Sequence, residues 1–347
     1  MIKSMETLDL LTRGCKEIVT KKELREVLNR EERKAYIGYE PSGLAHLGFF
    51  ITANKARDLL TCGFDVTVLL ADWHAQINDK FGGDLEKIRT CGEYLKDVFY
   101  SMRVYPDFRY ASDMVDDEEY WATLIRGAKH TTLARIKRAL TIMGRKSNEA
   151  NMDFSKTIYP LMQVTDIFML EVDIALAGMD QRKAHMLARE IAPALGLKKP
   201  VAMHLPLIPS LEGSGRMDGV KMSKSRPQSA IFVHDSDESI REKMKRAYCP
   251  AGVVEDNPVL AICKTMVFQS FKSITIEREQ KYGGDIEIES YEELERLFSD
   301  KQIHPLDLKN TTADYLSRIL KPCREYFEKH SDNFEAVENI MTDGNEK

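Results

Sequence analysis

Two short motifs hold the residues best suited to chemistry. Pro41-Ser42-Gly43-Leu44-Ala45-His46-Leu47-Gly48 lies near the N-terminus, and Lys221-Met222-Ser223-Lys224-Ser225 lies far downstream. An imidazole at a helix start, with two lysines on a loop, suits a site that grips the phosphates of ATP from two sides. A helix start offers unpaired N–H groups and a positive dipole end, both of which favour phosphate. His46 adds a donor there, although the same residue also fits a plain helix cap. Gly48 removes a side chain where a flat nucleoside could rest on the backbone. Lys221 and Lys224 follow Gly213, Gly215 and Gly219, so their ammonium groups can track charge developing on a leaving pyrophosphate. This is not a Walker A loop, whose Gly-x-x-x-x-Gly-Lys-Ser/Thr order is absent.

A second constellation is polar on an apolar helix. Tyr159, Gln163 and Asp166 fall at i, i+4 and i+7 and share one face. Their neighbours Leu161, Met162, Val164, Ile167 and Phe168 are apolar. Buried polar groups need partners, and either a polar ligand or an internal hydrogen-bond network would serve. Gly178-Met179-Asp180-Gln181-Arg182-Lys183 and Asp72-Trp73-His74 each follow a predicted strand, at the carboxyl end where doubly wound sheets bind ligands. His74 fits a supporting role as well as ligand contact.

The elements that must position these residues are legible in outline. Residues 6–33 read as helical, with Leu10, Leu11, Ile18, Leu24 and Leu28 on the apolar face. A strand over Lys34–Tyr39, a turn at Pro41-Ser42-Gly43, a helix over His46–Cys62 and a strand over Phe64–Ala71 open a doubly wound α/β sheet. Further strands are expected at about Val172–Ala177 and His204–Ile208. After Pro227 helices dominate, at 236–248, 257–270, 290–299 and 305–330, with a hairpin at 273–289. The expected class is α/β: a Rossmann-like doubly wound parallel sheet over 1–228, then a mainly α-helical domain over 229–347. The polar end of the chain from Ser331 is expected to fray.

At 347 residues, 43% hydrophobic and 30% charged, the composition is that of an ordinary globular protein. No apolar run is long enough to span a bilayer, and Met1-Ile2-Lys3-Ser4-Met5-Glu6 lacks a signal peptide's apolar stretch. Cys15, Cys62, Cys91, Cys249, Cys263 and Cys323 form no close pair, so neither a zinc site nor a disulfide framework is expected. The reading is a reduced, cytoplasmic protein. A net charge of −5 argues against indiscriminate nucleic-acid binding. Yet Lys129, Arg135, Lys137, Arg138, Arg145 and Lys146 fall in one acid-free stretch, which fits a solvated helix face or a phosphate-backbone contact.

His46-Leu47-Gly48 resembles the start of the His-Ile-Gly-His motif of class I aminoacyl-tRNA synthetases, and Lys221 to Ser225 matches their Lys-Met-Ser-Lys-Ser motif. Ala35 to Gly43, Tyr159 to Asp166 and Gly178 to Lys183 are similar to tyrosyl-tRNA synthetases of the archaeal and eukaryal type, and the likeness runs from about Glu23 to Lys321. The resemblance implies that Tyr36 and Asp166 bind the phenolic hydroxyl of tyrosine. It implies that Tyr159, Gln163 and Gln181 hold its amino end and ring, and that His46, Gly48 and Lys224 meet ATP, with Mg²⁺ carried on the nucleotide. It places Arg138 and Arg182 against the first base pair of the tRNA acceptor stem, and His304 and Asp307 at the anticodon. It also implies a homodimer, formed through a helical insertion at about 113–150. Phe49 replaces the second histidine of the first motif, so no phosphate role passes to that position. Two rivals stay open: a tryptophanyl synthetase, and a noncatalytic synthetase-like RNA-binding protein. Indole has no hydroxyl for Tyr36 and Asp166, and a noncatalytic protein has no need of Lys221, Lys224 and His46.

Overall fold

The computed structural model describes residues 4–143, 153–213, 222 and 227–343. These fall into two compact units. The first comprises the described parts of Met1–Gly43, Thr52–Pro206 and Asp332–Lys347, and the second those of Leu44–Ile51 and Leu207–Ser331.

The first unit is built on a six-stranded sheet of β1 (Glu17–Val19), β2 (Lys34–Tyr39), β3 (Asp65–Leu70), β4 (Asp107–Tyr110), β5 (Ile174–Gly178) and β6 (Val201–Leu205). The spatial order is β1-β6-β5-β2-β3-β4, all parallel except β1, which runs antiparallel to β6. The order reverses beside β2, and ligands of doubly wound sheets lie off the carboxyl ends at such a reversal. β5 and β6 are almost wholly buried, as runs such as Ile174-Ala175-Leu176-Ala177 require of strands covered on both faces.

The helices of this unit are α1 (Ser4–Thr12), α2 (Lys21–Leu28), most of α3 (Leu47–Thr61), α4 (Asp72–Ile77), α5 (Leu85–Ser101), α6 (Ser112–Val115), α7 (Glu118–Lys129), α8 (Leu133–Ala139), α9 (Ser155–Met169) and α10 (Arg182–Leu195). The apolar side of α9 packs with Tyr36, Leu69, Tyr120, Leu124, Ala175 and Leu187 in one core cluster. Each fully buried apolar side chain there contributes about 1.5–3 kcal/mol. Lys55 on α3 closes the end of α1. Its ammonium donates to the carbonyls of Leu10 (3.0 Å), Leu11 (3.3 Å) and Arg13 (2.8 Å) and to Asp58 (2.8 Å), which satisfies a helix C-terminus with a cation.

Three expectations for the first unit change. Residues 6–33 are not one helical stretch. The chain leaves α1 and pairs β1 with β6, and Thr20 then starts α2 through a capping box with Glu23. β6 lies earlier than expected because Pro206, which has no N–H to give a ladder, follows its last residue. The chain from Asp332 does not fray at once: Asp332–Asp343 forms a helix on α5, where Val337 is fully buried, Phe334 meets Tyr94 at 6.3 Å and Asn333 donates to Asp97 at 2.8 Å.

The second unit is mainly helical: α11 (Asp237–Arg246), α12 (Pro258–Ile262), α13 (Phe268–Ser270), α14 (Tyr291–Ser299) and α15 (Pro305–Phe327), with α16 being the returning helix Asp332–Asp343 of the first unit. A π-turn over Cys263–Val267 interrupts the helix expected at 257–270. The expected hairpin is present as β7 (Ile274–Ile276) and β8 (Ile286–Ile288), antiparallel. No helix among the described residues is long and apolar enough to cross a membrane.

Candidate active site

The carboxyl ends of β2, β3 and β5 lead directly to Glu40, to His74 on α4 and to Gln181. Helix α9 crosses the same region and supplies Tyr159, Gln163 and Asp166 from one face, as the spacing predicts. Asp166 is the electrostatic centre, at 1% exposure. The Tyr120 hydroxyl donates to its Oδ1 at 2.9 Å. His74 Nε2 lies 3.1 Å from its Oδ2, an ion-pair contact poorly angled for a hydrogen bond. Burial opposes a charge on His74, but the Asp166 carboxylate, with Glu40 and Asp72 beyond it, outweighs burial and raises the imidazole's pKa. Tyr36, rising from β2, is shifted well above the phenol range by burial first and by Asp166 second, while a hydrogen bond from Gln163 pulls the other way.

The other end of the cluster gathers around Glu40. Its carboxylate accepts from the Tyr159 hydroxyl and from Asn78 Nδ2 (3.1 and 3.0 Å), with Lys80 Nζ 3.5 Å away. Gln163 Nε2 donates to Gln181 Oε1 at 3.3 Å, and Gln181 Nε2 donates to the Ile142 carbonyl at 3.0 Å. The His74 and Tyr159 rings meet edge-on at 5.0 Å. Gln163 Oε1, Asn78 Oδ1 and His74 Nδ1 are buried without a hydrogen-bond partner. Each such group costs about 1–3 kcal/mol if left unmade, and several together in one polar cluster mark a place shaped for a polar ligand. A cavity of about 350 Å³ lined by Lys34, Asp173 and Lys198 lies instead at the opposite strand ends, and Asp173 there is already engaged by Arg30 and Lys198.

Of the first motif, Pro41-Ser42-Gly43 belong to the first unit and Leu44 to Gly48 to the second. His46 precedes α3, and its Nδ1 accepts the Gly48 N–H at 3.0 Å. A Cβ on Gly48 would stand 2.6 Å from His46 Cε1, so this glycine lets the imidazole fold over the helix start. Phe49 is buried at 8% exposure and packs edge-on against His46 at 5.6 Å. The aromatic ring at this position thus braces the histidine.

Lys221 and Lys224 lie outside the described residues. Met222 between them is described: it is 1% exposed, and its N–H donates to the Ile208 carbonyl at 3.1 Å. Arg138 is exposed on α8, whereas Arg182 is bidentate on Glu17 at 2.7 and 3.0 Å. His304 caps α15, its Nδ1 accepting the Leu306 N–H at 3.2 Å, and Asp307 stands in the first turn.

The tRNA synthetases class I (W and Y) family matches residues 28–321. A tyrosine–tRNA ligase of Sulfolobus acidocaldarius is 49% identical over 353 aligned positions, covering 96% of this chain and 97% of that protein. The chain belongs to the class I tyrosyl-tRNA synthetases. Within that family, the Aeropyrum pernix enzyme superposes with a TM-score of 0.88 at 45% identity, covering 98% of this chain and 100% of that one. The Pyrococcus horikoshii enzyme, solved with L-tyrosine, superposes at 0.91 with 40% identity, covering 97% and 100%. A tryptophanyl-tRNA synthetase of A. pernix, at 21% identity and a TM-score of 0.66, shares the fold.

Sequence reasoning passed over Tyr120, Glu40 and Asn78. Glu40 had a signal, since it follows β2 at a carboxyl end. Tyr120 had none: it reaches Asp166 from α7, 46 positions away.

Proposed function

We infer that this chain is a tyrosine–tRNA ligase: it activates L-tyrosine with ATP and transfers the tyrosyl group to the 3′-terminal adenosine of tRNA. The observation that carries the residue roles is the buried Asp166 carboxylate beside Tyr36, held between Tyr120 and His74. A phenolic hydroxyl can bond both Tyr36 and the remaining lone pairs of Asp166, and an indole or a bare phenyl ring offers them nothing. Tyr159, Gln163 and Gln181 offer the polar groups that hold the amino end of the amino acid. The substrate carboxylate then attacks the α-phosphate of ATP, giving tyrosyl-AMP and pyrophosphate. A ribose hydroxyl of the tRNA takes the tyrosyl group and AMP leaves. No side chain becomes a covalent nucleophile, so catalysis rests on positioning and on charge stabilisation. His46, Lys221 and Lys224 supply positive charge to the phosphates. Mg²⁺ enters as part of the Mg·ATP substrate, consistent with the oxygen ligands that ion prefers.

For the RNA, Arg138 and Arg182 face the acceptor end, and His304 and Asp307 in the first turn of α15 read the anticodon, making the helical part after residue 228 the anticodon domain. Trp121, Ile125, Leu133 and Phe154 expose large apolar surface at 39%, 59%, 62% and 77%. They lie on α7, on α8 and just before α9, which supports a homodimer through this region. ATP–pyrophosphate exchange with each amino acid in turn tests the activity: exchange with tyrosine alone is expected, and comparable exchange with tryptophan or phenylalanine overturns the reading. Sedimentation of the parent against Ile125→Asp tests the dimer.

A further inference from the structure

Glu40 and Asn78 are bonded into the proposed amino-acid pocket, yet no role attaches to either. Glu40 follows β2, and its carboxylate is held on both oxygens. Oε1 accepts from the Tyr159 hydroxyl, and Asn78 Nδ2 reaches Oε1 at 3.1 Å and Oε2 at 3.0 Å. Lys80 Nζ lies 3.5 Å from Oε2. Asn78 ends α4, four residues after His74, so this one helix serves Asp166 through His74 and Glu40 through Asn78. Asn78 is fully buried, and its amide also donates to the Met143 carbonyl at 3.1 Å. The carbonyl before it, of Ile142, takes Gln181 Nε2 at 3.0 Å. Successive carbonyls of the turn Leu140–Met143 thus anchor two pocket amides.

These bonds have one direction. Carboxylates and carbonyls only accept, so the nitrogen of Asn78 must face Glu40 and Met143, and its Oδ1 must face away. Gln181 likewise gives its nitrogen to Ile142 and accepts from Gln163 Nε2 at 3.3 Å, which leaves Gln163 Oε1 over. Both of these amide oxygens are buried without a hydrogen-bond partner. Tyr159 must donate to Glu40, so its oxygen has only lone pairs left to offer. Burial first, and then the Glu40 charge, raise the Tyr159 phenol well above its ordinary range, so the hydroxyl keeps its hydrogen. Tyr159 and Gln163 stand one helical turn apart on the same face of α9. What this set lacks is a donor, and a primary ammonium brings three donors and no acceptor.

We propose that Glu40 is a positioning residue, locked in place by Asn78 and Lys80, which turns the Tyr159 hydroxyl so that its lone pairs meet the α-ammonium of tyrosine. The inference rests on the reading of Tyr159 as a residue that holds the amino end. Turned the other way, the same hydroxyl would present its hydrogen to a cation and repel it. The Glu40 carboxylate also sets a negative charge one hydrogen bond behind that contact, which polarises the hydroxyl and strengthens its hold.

Two variants test it. Glu40→Gln keeps the size but removes the charge, and its amide offers Tyr159 either a donor or an acceptor, so the hydroxyl's direction is no longer fixed. Asn78→Ala leaves the carboxylate but removes its buried support. In tyrosine-dependent pyrophosphate exchange, Glu40→Gln is expected to raise KM for tyrosine about tenfold and Asn78→Ala about threefold. In both, kcat and the KM for ATP should stay at the parent value. Two competitive inhibitors show which end of the substrate is affected. Tyramine, which keeps the ammonium, should weaken by the same factor as tyrosine. 3-(4-Hydroxyphenyl)propanoate, which lacks it, should bind each variant as it binds the parent. An unchanged tyrosine KM in folded Glu40→Gln overturns the proposal, and if that variant does not fold, an unchanged KM in Asn78→Ala does so. Equal weakening of tyrosine and the propanoate also overturns it, since that would mark a merely structural role. Tyr159→Phe separates the two layers: if it binds tyrosine and the propanoate as the parent does, the pocket reading itself fails. If it weakens tyrosine alone while the Glu40 and Asn78 variants behave as parent, only the positioning role fails.

Discussion

The cluster around Asp166 and the first turn of α15 are both assigned to recognition, yet they are built on opposite terms. Asp166 is 1% exposed, with Tyr120 and His74 on its two oxygens. Asp307 is half-buried in the first turn of α15, and no hydrogen bond or ion pair engages its carboxylate among the described residues; His304 caps that helix instead. The difference teaches where a protein can afford specificity. A buried network must be complete, so each member contributes to both folding and recognition. A half-buried carboxylate that no group in the fold engages contributes little to folding and is available for an outside partner.

The comparison predicts that the two functions separate at α15 and cannot be separated at α9. The largest effect is expected from Asp166→Ala. It leaves His74 and Tyr120 without their partner, should cost about 3–5 kcal/mol in denaturant titrations, and should lower tyrosine-dependent exchange at least about 100-fold. Full stability with full activity would break the account of the cluster. Lys224→Ala comes next: single-turnover adenylate formation should slow about 100-fold, with tyrosine affinity in equilibrium titration close to the parent value. A loss of tyrosine affinity at an unchanged rate would show the loop misassigned.

A pH experiment sharpens the contrast within the cluster. His185, whose ring lies 6.4 Å from the Tyr36 ring, has its pKa depressed to about 3 by burial, so the folded state refuses a proton that the unfolded chain takes below about 6.5. Its contribution to stability is present above pH 6.5 and is lost as pH falls from there toward 3. His74 is shifted upward, and its contribution runs the other way, present below pH 6.5 and lost as pH rises through the folded value. His185→Asn should therefore remove about 2 kcal/mol of the acid destabilisation between pH 6.5 and 5. An unchanged slope would mean that His185 is charged in the folded protein. The smallest effect on the fold is expected from Asp307→Ala. Stability should change by less than about 1 kcal/mol and exchange should hold, while charging of tRNA drops about tenfold. Equal discrimination by mutant and parent between wild-type tRNA and one altered at the first anticodon base would remove Asp307 from anticodon reading.

What the sequence made legible follows the same division. Lys34–Tyr39 and Asp65–Leu70 stand out because buried parallel strands concentrate apolar β-formers. Tyr159, Gln163 and Asp166 stand out because polar residues are rare on an apolar helix face. β1 was hidden: three residues between two helices carry no period, and their pairing with β6 is a tertiary fact. Tyr120 was hidden for a similar reason, since nothing near α7 marks it as the donor to Asp166. The Asn78–Glu40–Tyr159 group joins residues that are far apart in sequence, and only tertiary packing brings them together.

The central claim is that Tyr36 and Asp166 read a hydroxyl. The most direct test is the ratio of kcat/KM for tyrosine over phenylalanine, measured by pyrophosphate exchange for the parent protein and for Tyr36→Phe. The parent should favour tyrosine by about 10⁴–10⁵, a magnitude taken over from tyrosyl-tRNA synthetases as a family. Tyr36→Phe should reduce that ratio about 10- to 100-fold through its effect on tyrosine alone. A parent that uses phenylalanine nearly as well as tyrosine, or a Tyr36→Phe protein with an undiminished ratio, would contradict the account.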